Sequence, residues 1–495
     1  MHLIWAGYAL PGPGELKTDY AVVVDGSRVI DSGDRAVMQA AYPDAEVLGG
    51  QQYIMLPGFI NAHDHGRAIG SASLGVPDDI LECWLPMLGA QPHIPPYLAA
   101  AYDGIQQLKS GITGTAHSHN PATWAGMPAE CDESIWGYRD AGIRVAFHPP
   151  MVDQNLLVYA DEDSFIAGLP TELQTDARAR TQKPPFTTDE YLDLCTRLYD
   201  HYHDAENETV HIQVSPAGGQ WCSDGLIMAS VEWAKAHQTR VQMHMLETQY
   251  QRAYAHRKWG KSFIQHLEEI GALGEWLTLA HMVWLDEGDY ERLKHHQVGI
   301  AHNPSSNLRL RSGIAHAFKC FGRVAVGLDG HALDDDQDYW RELRLAATLM
   351  RYTTTADLSD PKFAHILLDA NQLAAARMTF GTGNKCFALH KGMFADLQLL
   401  DLDAVRGAWA PADWPEPEYI AAFLLQRANK SHVRHVMVGG KWVVRDGVCL
   451  TLDEKSIAAE IKAALNAQDR TILRTRLEAA QQLTPHIRKF YRAWE

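Results

Sequence analysis

The residues best suited to chemistry are histidines and carboxylates at the ends of short apolar runs. His63 and His65 stand two apart at the end of Pro57-Gly58-Phe59-Ile60-Asn61-Ala62. If that run is a β-strand, its period of two puts both imidazoles on one face, able to hold one metal ion. Asp64 then faces the other way and is not counted as a ligand. The spacing alone is weak evidence, because 25 histidines make a chance pair easy. Later runs supply companions. His244 ends Val241-Gln242-Met243, with Glu247 three residues on; His281 ends Leu279-Ala280, and Asp329 ends Val326-Gly327-Leu328. Imidazoles and a carboxylate gathered at one place suit Zn²⁺ or Fe²⁺ with a position left for water.

The elements that must position these residues follow from pattern. At 495 residues the chain can bury one large core and a smaller domain. From 57 to 388, short apolar runs alternate with longer amphipathic stretches. Eight candidate strands fall at 58–63, 112–117, 143–148, 209–215, 239–245, 277–282, 297–302 and 323–328. Helix-like segments lie between them at 97–110, 226–237, 287–295 and 339–351. This alternation predicts an α/β fold, a (β/α)8 TIM barrel whose chemistry sits at the C-terminal strand ends. Segment 151–208 is too long for an ordinary connection and reads as an insertion forming part of a lid. Residues 1–56 read as strands, with a hairpin at Asp25-Gly26-Ser27. Residues 389–453 hold further strands, including a hairpin at Gly439-Gly440. Pairing the two ends gives one small composite β-sandwich. From 454 to 495, Ala, Leu, Glu, Lys and Arg at helical spacing predict a C-terminal tail of two helices.

The motifs PGFINAHDH, HMLE, LAHMVWL, AHNPSSNLRLRSG and VGLDG stand in that order. With FADLQLLD and VMVGGKWVVRDG they resemble the amidohydrolase superfamily over residues 1 to about 450. The likeness is to its mononuclear-metal aminohydrolase branch, with the S-adenosylhomocysteine, cytosine and guanine deaminases and the s-triazine hydrolases. The resemblance implies metal ligands at His63, His65, His244 and Asp329. It implies a proton shuttle at Glu247 and a substrate-polarising or water-binding group at His281, with Asp329 also taking a proton from water. Such a metal brings the pKa of its water to near 7. One Glu can then protonate a ring nitrogen and the departing ammonia. The implied reaction is release of ammonia from an amino-substituted N-heterocycle (purine, pyrimidine, pterin or s-triazine) or a guanidine-like group by hydroxide attack. Hydrolysis of an amide, urea or aryl-halide bond on the same site is the alternative, and Glu247 favours deamination. A non-catalytic assembly protein would tend to lose ligands, and all are present here.

Binuclear members bridge their metals through a Lys or Glu on the fourth strand. Thr209-Val210-His211-Ile212-Gln213-Val214-Ser215 has neither, so one divalent metal is expected, Zn²⁺ or alternatively Fe²⁺. His117 and His119 repeat the spacing at the second strand and read as pocket lining or supporting partners. Several relatives carry a substrate-binding His after strand four; here Gln220 and Trp221 stand there, offering an amide and a stacking face, or packing alone. Arg67, Trp84 and Leu85 form another expected pocket wall. Asp334, Asp335 and Asp336 either meet an amino-bearing substrate or cap the next helix.

The net charge of −17 argues against a nucleic-acid or anionic-membrane partner, since no basic excess exists to neutralise phosphates. Seven widely spaced cysteines, with no C-x-x-C, suggest reduced thiols in the cytoplasm. No signal peptide and no apolar run near 18 residues are seen. The expected partners are a small-molecule substrate and, from the resemblance, a second copy in a homodimer.

Overall fold

The computed structural model describes residues 1–354, 360, 362–381, 383–411 and 414–494. Stretches of the expected segments 57–388, 389–453 and 454–495 that fall elsewhere lie outside the described residues. The predicted alternation of strand and helix forms two four-stranded parallel sheets. One holds Phe59–Asp64, Ile112–Ser118, Arg144–His148 and Val210–Ile212; the other holds Val241–Met245, Leu277–His281, Gly299–His302 and Val324–Val326. Between the sheets, Val214 bridges to Val241. At the other junction the Asp329 N–H donates to the His63 carbonyl (2.9 Å), and Leu328 N–H donates to Asn61 Oδ1 (3.0 Å). Ile60, Ala62, Ala280, Ala301 and Ala325 come from both sheets and meet in one cluster with Phe380 and Phe394. Small side chains let those strands approach, and the two rings fill what remains. The fourth strand is shorter than the expected 209–215. Beyond Ile212 the chain turns to pair Ser215–Pro216 with Pro150–Met151, a short ladder that tolerates a residue without an N–H.

The two chain ends do join. Leu397–Asp401 runs antiparallel to the end of Glu46–Pro57, which is parallel to His2–Ala9. Ladders continue to 17–25 and 28–34 on one side and to 433–438, 441–445 and 448–449 on the other. The hydrogen bonding runs through all eight strands as one continuous sheet. It curls: a Cβ on Gly440 would lie 1.9 Å from the Gly26 carbonyl, so the two hairpin turns pass backbone to backbone. One face of the sheet packs into a single core of Ile4, Val22, Val24, Met55, Leu397 and Met437. Arg144 on the third parallel strand clamps this sheet by a buried two-point pair with Asp396 (2.6 and 3.0 Å).

Segment 151–208 carries three helices, Glu162–Ala167, Thr171–Arg180 and Thr188–Tyr202, the last opened by a Thr187/Glu190 capping box. The tail folds as Glu454–Asn466 and Arg470–Arg492, each opened by an Asp N-cap. The long final helix buries Ala480, Leu483, Ile487 and Tyr491, a stripe at three- and four-residue spacing. That stripe faces helix Leu81–Leu88 and the inserted helices. Among the described residues no helix is long and apolar enough to cross a membrane.

Candidate active site and metal centre

Four imidazoles and two carboxylates converge where the strands end. One ligand atom each from His63, His244, His281 and Asp329 lies within 4.8 Å of the others. His65 joins them: its Nε2 is 3.1 Å from His244 Nε2 and 3.2 Å from Asp329 Oδ1. His63 Nε2 is 3.1 Å from the same oxygen, and His281 Nε2 is 3.9 Å from Asp329 Oδ2. Glu247 Oε2 lies 3.7 Å from His281 Nε2. All six residues named from the motifs thus meet in one place.

Each ring is oriented through its other nitrogen. His63 Nδ1 pairs with Gln242 Oε1 (2.7 Å), His65 Nδ1 with the Ser118 carbonyl (2.7 Å), His244 Nδ1 with the Ala217 carbonyl (2.5 Å) and His281 Nδ1 with Asn307 Oδ1 (2.9 Å). Oxygens of these kinds accept, so each Nδ1 carries the proton and each Nε2 presents a lone pair inward. Lone pairs of His65 and His244 facing each other at 3.1 Å repel unless a cation lies among them. His63 Nε2, although close to Asp329, makes no hydrogen bond. The donor set therefore fits a divalent metal.

Electrostatics agree. Burial holds His65 down to about 3 and His281 to about 4, and holds His244 well below its ordinary value. His63 is the exception: burial opposes its charge, but Asp329 outweighs it and raises the pKa. Burial would raise the Asp329 carboxyl, yet His281, His63 and His65 hold it well below the usual range. Burial pushes Glu247 well above the usual range, with Asp329 and Glu82 adding to it. Its Oε1 is buried without a hydrogen-bond partner. A carboxyl raised in this way beside one that is lowered suits the role of proton donor.

The centre opens into a cavity of about 300 Å³ lined by His65, His244, Glu247, His281 and Asp329, with Arg67, Trp84, Leu85 and Trp221 among its walls. Val152 and Leu156 of the insertion line it too, so that segment does wall the pocket. Gln220 and His117 do not line it. Gln220 is fully buried, and its carbonyl, not its amide, is used, by Asn155 and Gln154. His117 pairs with Tyr138 OH (2.9 Å) and lines a neighbouring cavity with His119. Asp64 is buried, accepting the N–H groups of His65 and Gly66. The acidic run after the eighth strand serves the structure: Asp334 and Asp336 pair with Arg341, Asp335 pairs with Arg309, and the N-cap is Asp338.

Sequence reasoning missed several residues. Gln242 lies two before His244 on one strand, so strand period could have found it. Asn307 stands inside AHNPSSNLRLRSG, but nothing local points it at His281. Asn120, Trp124 and His331 come from loops that return to the cavity only in the folded chain.

The profile of the amidohydrolase family matches residues 54–443. The chain is 28% identical over 422 residues to the 5'-deoxyadenosine deaminase of Methanopyrus kandleri, covering 83% of this chain and 86% of that protein. It is 28% identical over 457 residues to the 8-oxoguanine deaminase of Pseudomonas aeruginosa, covering 90% and 94%. A crystal structure of an adenosine deaminase from Xanthomonas campestris, with bound zinc, matches the fold with a TM-score of 0.75 at 23% identity, covering 96% of this chain and 98% of that one. With its matched length and its histidine and aspartate motifs folded to one centre, this chain belongs to the amidohydrolase family.

Proposed function

We propose that the protein is a hydrolytic deaminase that releases ammonia from an amino-substituted N-heterocycle. The observation that carries this reading is Glu247: a buried carboxyl whose Oε1 has no hydrogen-bond partner, 3.7 Å from His281, with burial and Asp329 raising its pKa. The naming of relatives as 5'-deoxyadenosine and 8-oxoguanine deaminases supports it. His63, His65, His244 and Asp329 would hold one divalent ion, read as zinc. That ion supplies a water acidified toward neutrality and a polarising positive charge.

The protein's own groups supply the rest. Asp329 Oδ1 faces His63 and His65, which leaves Oδ2 to take a proton from an attacking water. His281 Nε2 keeps a lone pair because Nδ1–H is spent on Asn307, so it accepts from that water and orients it. Glu247 gives its proton to the ring nitrogen as the carbon is attacked. It then takes the remaining proton of the added hydroxyl and passes it to the leaving nitrogen, so that the carbonyl forms as ammonia departs, and the proton held by Asp329 returns to Glu247. The walls Trp84, Trp124 and Trp221 offer flat faces to a ring and exclude bulk water.

The finer architecture belongs to the same reading. The two parallel sheets are taken as one (β/α)8 barrel, supported by the contacts at both junctions and the shared alanine cluster. The chain divides into an N-terminal contribution to the terminal sheet (1–56), the barrel (57–388), a C-terminal contribution to that sheet (389–453) and the helical tail (454–495). A cytoplasmic homodimer is kept within the proposal; seven buried free thiols support a reducing compartment, and light scattering would test the assembly.

The test is an ammonia-release screen over amino-heterocycles with metal-loaded protein, repeated with Glu247→Gln. The variant is expected to keep its metal and lose turnover by roughly 10²–10⁴-fold. Undiminished ammonia release by Glu247→Gln, or full activity without metal, refutes the assignment.

A further inference from the structure

Arg67 follows the first pair of histidines and reaches the same cavity. Its backbone is closely held. A Cβ on Gly330 would stand 2.9 Å from the Arg67 Cβ, and a Cβ on Gly66 (φ +67°) would stand 2.8 Å from the His117 ring. These close approaches leave the backbone on either side of Arg67 little room for a larger residue. A guanidinium has five N–H donors. Here Nη2 donates to Asn120 Oδ1, and the group lies 5.4 Å from the centre of the Trp84 ring. Among the described residues no carboxylate forms an ion pair with it.

The other charged residues that line this cavity, Glu247 and Asp329, are taken up by the reaction. Asp329 and Asp64 favour the Arg67 charge from a distance, but its remaining N–H donors have no carboxylate in contact and are left for a substrate to meet. A neutral ligand would strip water from the guanidinium and return nothing, which costs binding energy. A carboxylate matches its planar fork with two parallel charge-assisted hydrogen bonds. Arg67 and Asn120 also line the adjoining cavity of about 560 Å³, so a group held at Arg67 sits where the two spaces meet.

Building on the deaminase reading, we propose that the substrate is an amino-heterocycle bearing a carboxylate, and that Arg67 selects it. Wild type, Arg67→Met and Arg67→Lys, all metal-loaded, are titrated with nicotinate and with nicotinamide, following tryptophan fluorescence. These probes share a ring and differ in charge, and their binding needs no turnover. Wild type is expected to bind nicotinate at least roughly tenfold more tightly than nicotinamide, by the size of a charge-assisted hydrogen bond. Arg67→Met should erase the difference and Arg67→Lys keep part of it, with metal content unchanged. A second arm compares ammonia release from cytosine and from its 5-carboxylate; Arg67→Met should lower kcat/KM for the carboxylate at least roughly tenfold more than for cytosine, and an equal loss for both overturns the proposal.

Equal binding of the two probes by wild type, or binding of neither, overturns the proposal. So does an Arg67→Met protein that loses both probes and metal together, because that marks a structural role. If no heterocycle releases ammonia but the charge preference holds, the deaminase reading fails while the anion site stands.

Discussion

Replacing Gln242 with Met tests whether the ring orientations described above belong to a metal centre. Gln242 is buried, accepts from His63 Nδ1 at 2.7 Å and donates to the Ala62 carbonyl at 3.1 Å. Methionine has nearly the same reach and neither hydrogen bond. The His63 N–H and the Ala62 carbonyl are then left unpaired in the interior, at about 1–3 kcal/mol for each. Without its acceptor, His63 can carry its proton on either nitrogen, and the form with Nε2–H cannot bind a metal. Loss of such a supporting partner typically weakens metal binding by about 10–100-fold, or about 1.4–2.8 kcal/mol. Competition with a chromogenic chelator measures the zinc affinity directly. Thermal melting with and without excess zinc then separates folding from binding. Affinity should fall in that range, and saturating zinc should restore most of the turnover. If affinity stays within about twofold of wild type while the apo protein is destabilised, Gln242 is core packing, and the orientation argument fails.

Three other outcomes are expected. Stripping the metal should abolish turnover and lower the melting temperature, because a ligand at about 100 times its Kd stabilises by about 2.7 kcal/mol; an unchanged melt speaks against the centre. Asp396→Ala leaves the buried Arg144 guanidinium without its two-point partner and should cost about 3–5 kcal/mol in urea unfolding, with zinc affinity unchanged. Glu342 is raised to about 7 by burial, so the folded state holds a proton that the unfolded state releases near 4.5. Its contribution to stability is therefore full below pH 4.5 and falls by about 3 kcal/mol as pH rises to 7. The difference between wild-type and Glu342→Gln unfolding curves should show that slope, and a flat difference counts against it.

The candidate site residues are legible in the sequence because a strand end is a local feature. An apolar run fixes the strand and its C-terminal end marks the mouth; His63, His244 and His281 stand on the last residues of their strands, and His65 and Asp329 just beyond theirs. What stays hidden depends on long-range return of the chain. Asn307 sits on the short helix Pro304–Arg309 and Asn120 in a loop, and packing sets where each of them arrives. Gln220 stands in the expected place after strand four, but it turns into the interior, and Trp221 alone of that pair reaches the cavity. The union of the two chain ends is inferable because edge strands need partners. That the ladders run through one curled sheet is not, because register between distant strands leaves no trace in either one.

The fold divides its work between the two ends of the parallel strands. At the far end from the chemistry, Arg144–Asp396 and the Gln398 amide on the Pro57 carbonyl (3.2 Å) tie the terminal sheet to the strands. At the mouth, the walls rest on each other. Helix Leu81–Leu88 carries Trp84 into the cavity, and its Glu82 accepts from Thr248 (2.5 Å), the neighbour of Glu247, and from Tyr159 (3.1 Å). Tyr159 N–H in turn donates to the Tyr491 hydroxyl on the final helix (3.1 Å). One buried carboxyl thus links the first-strand loop, the insertion and the loop that holds Glu247, with the tail backing all three. A change at the sheet end should therefore alter stability and spare the chemistry. Loss of the final helix should do the reverse first, loosening the pocket walls and the placement of Glu247 while the proposed metal ligands, which sit on or just beyond the strand ends, hold their ion.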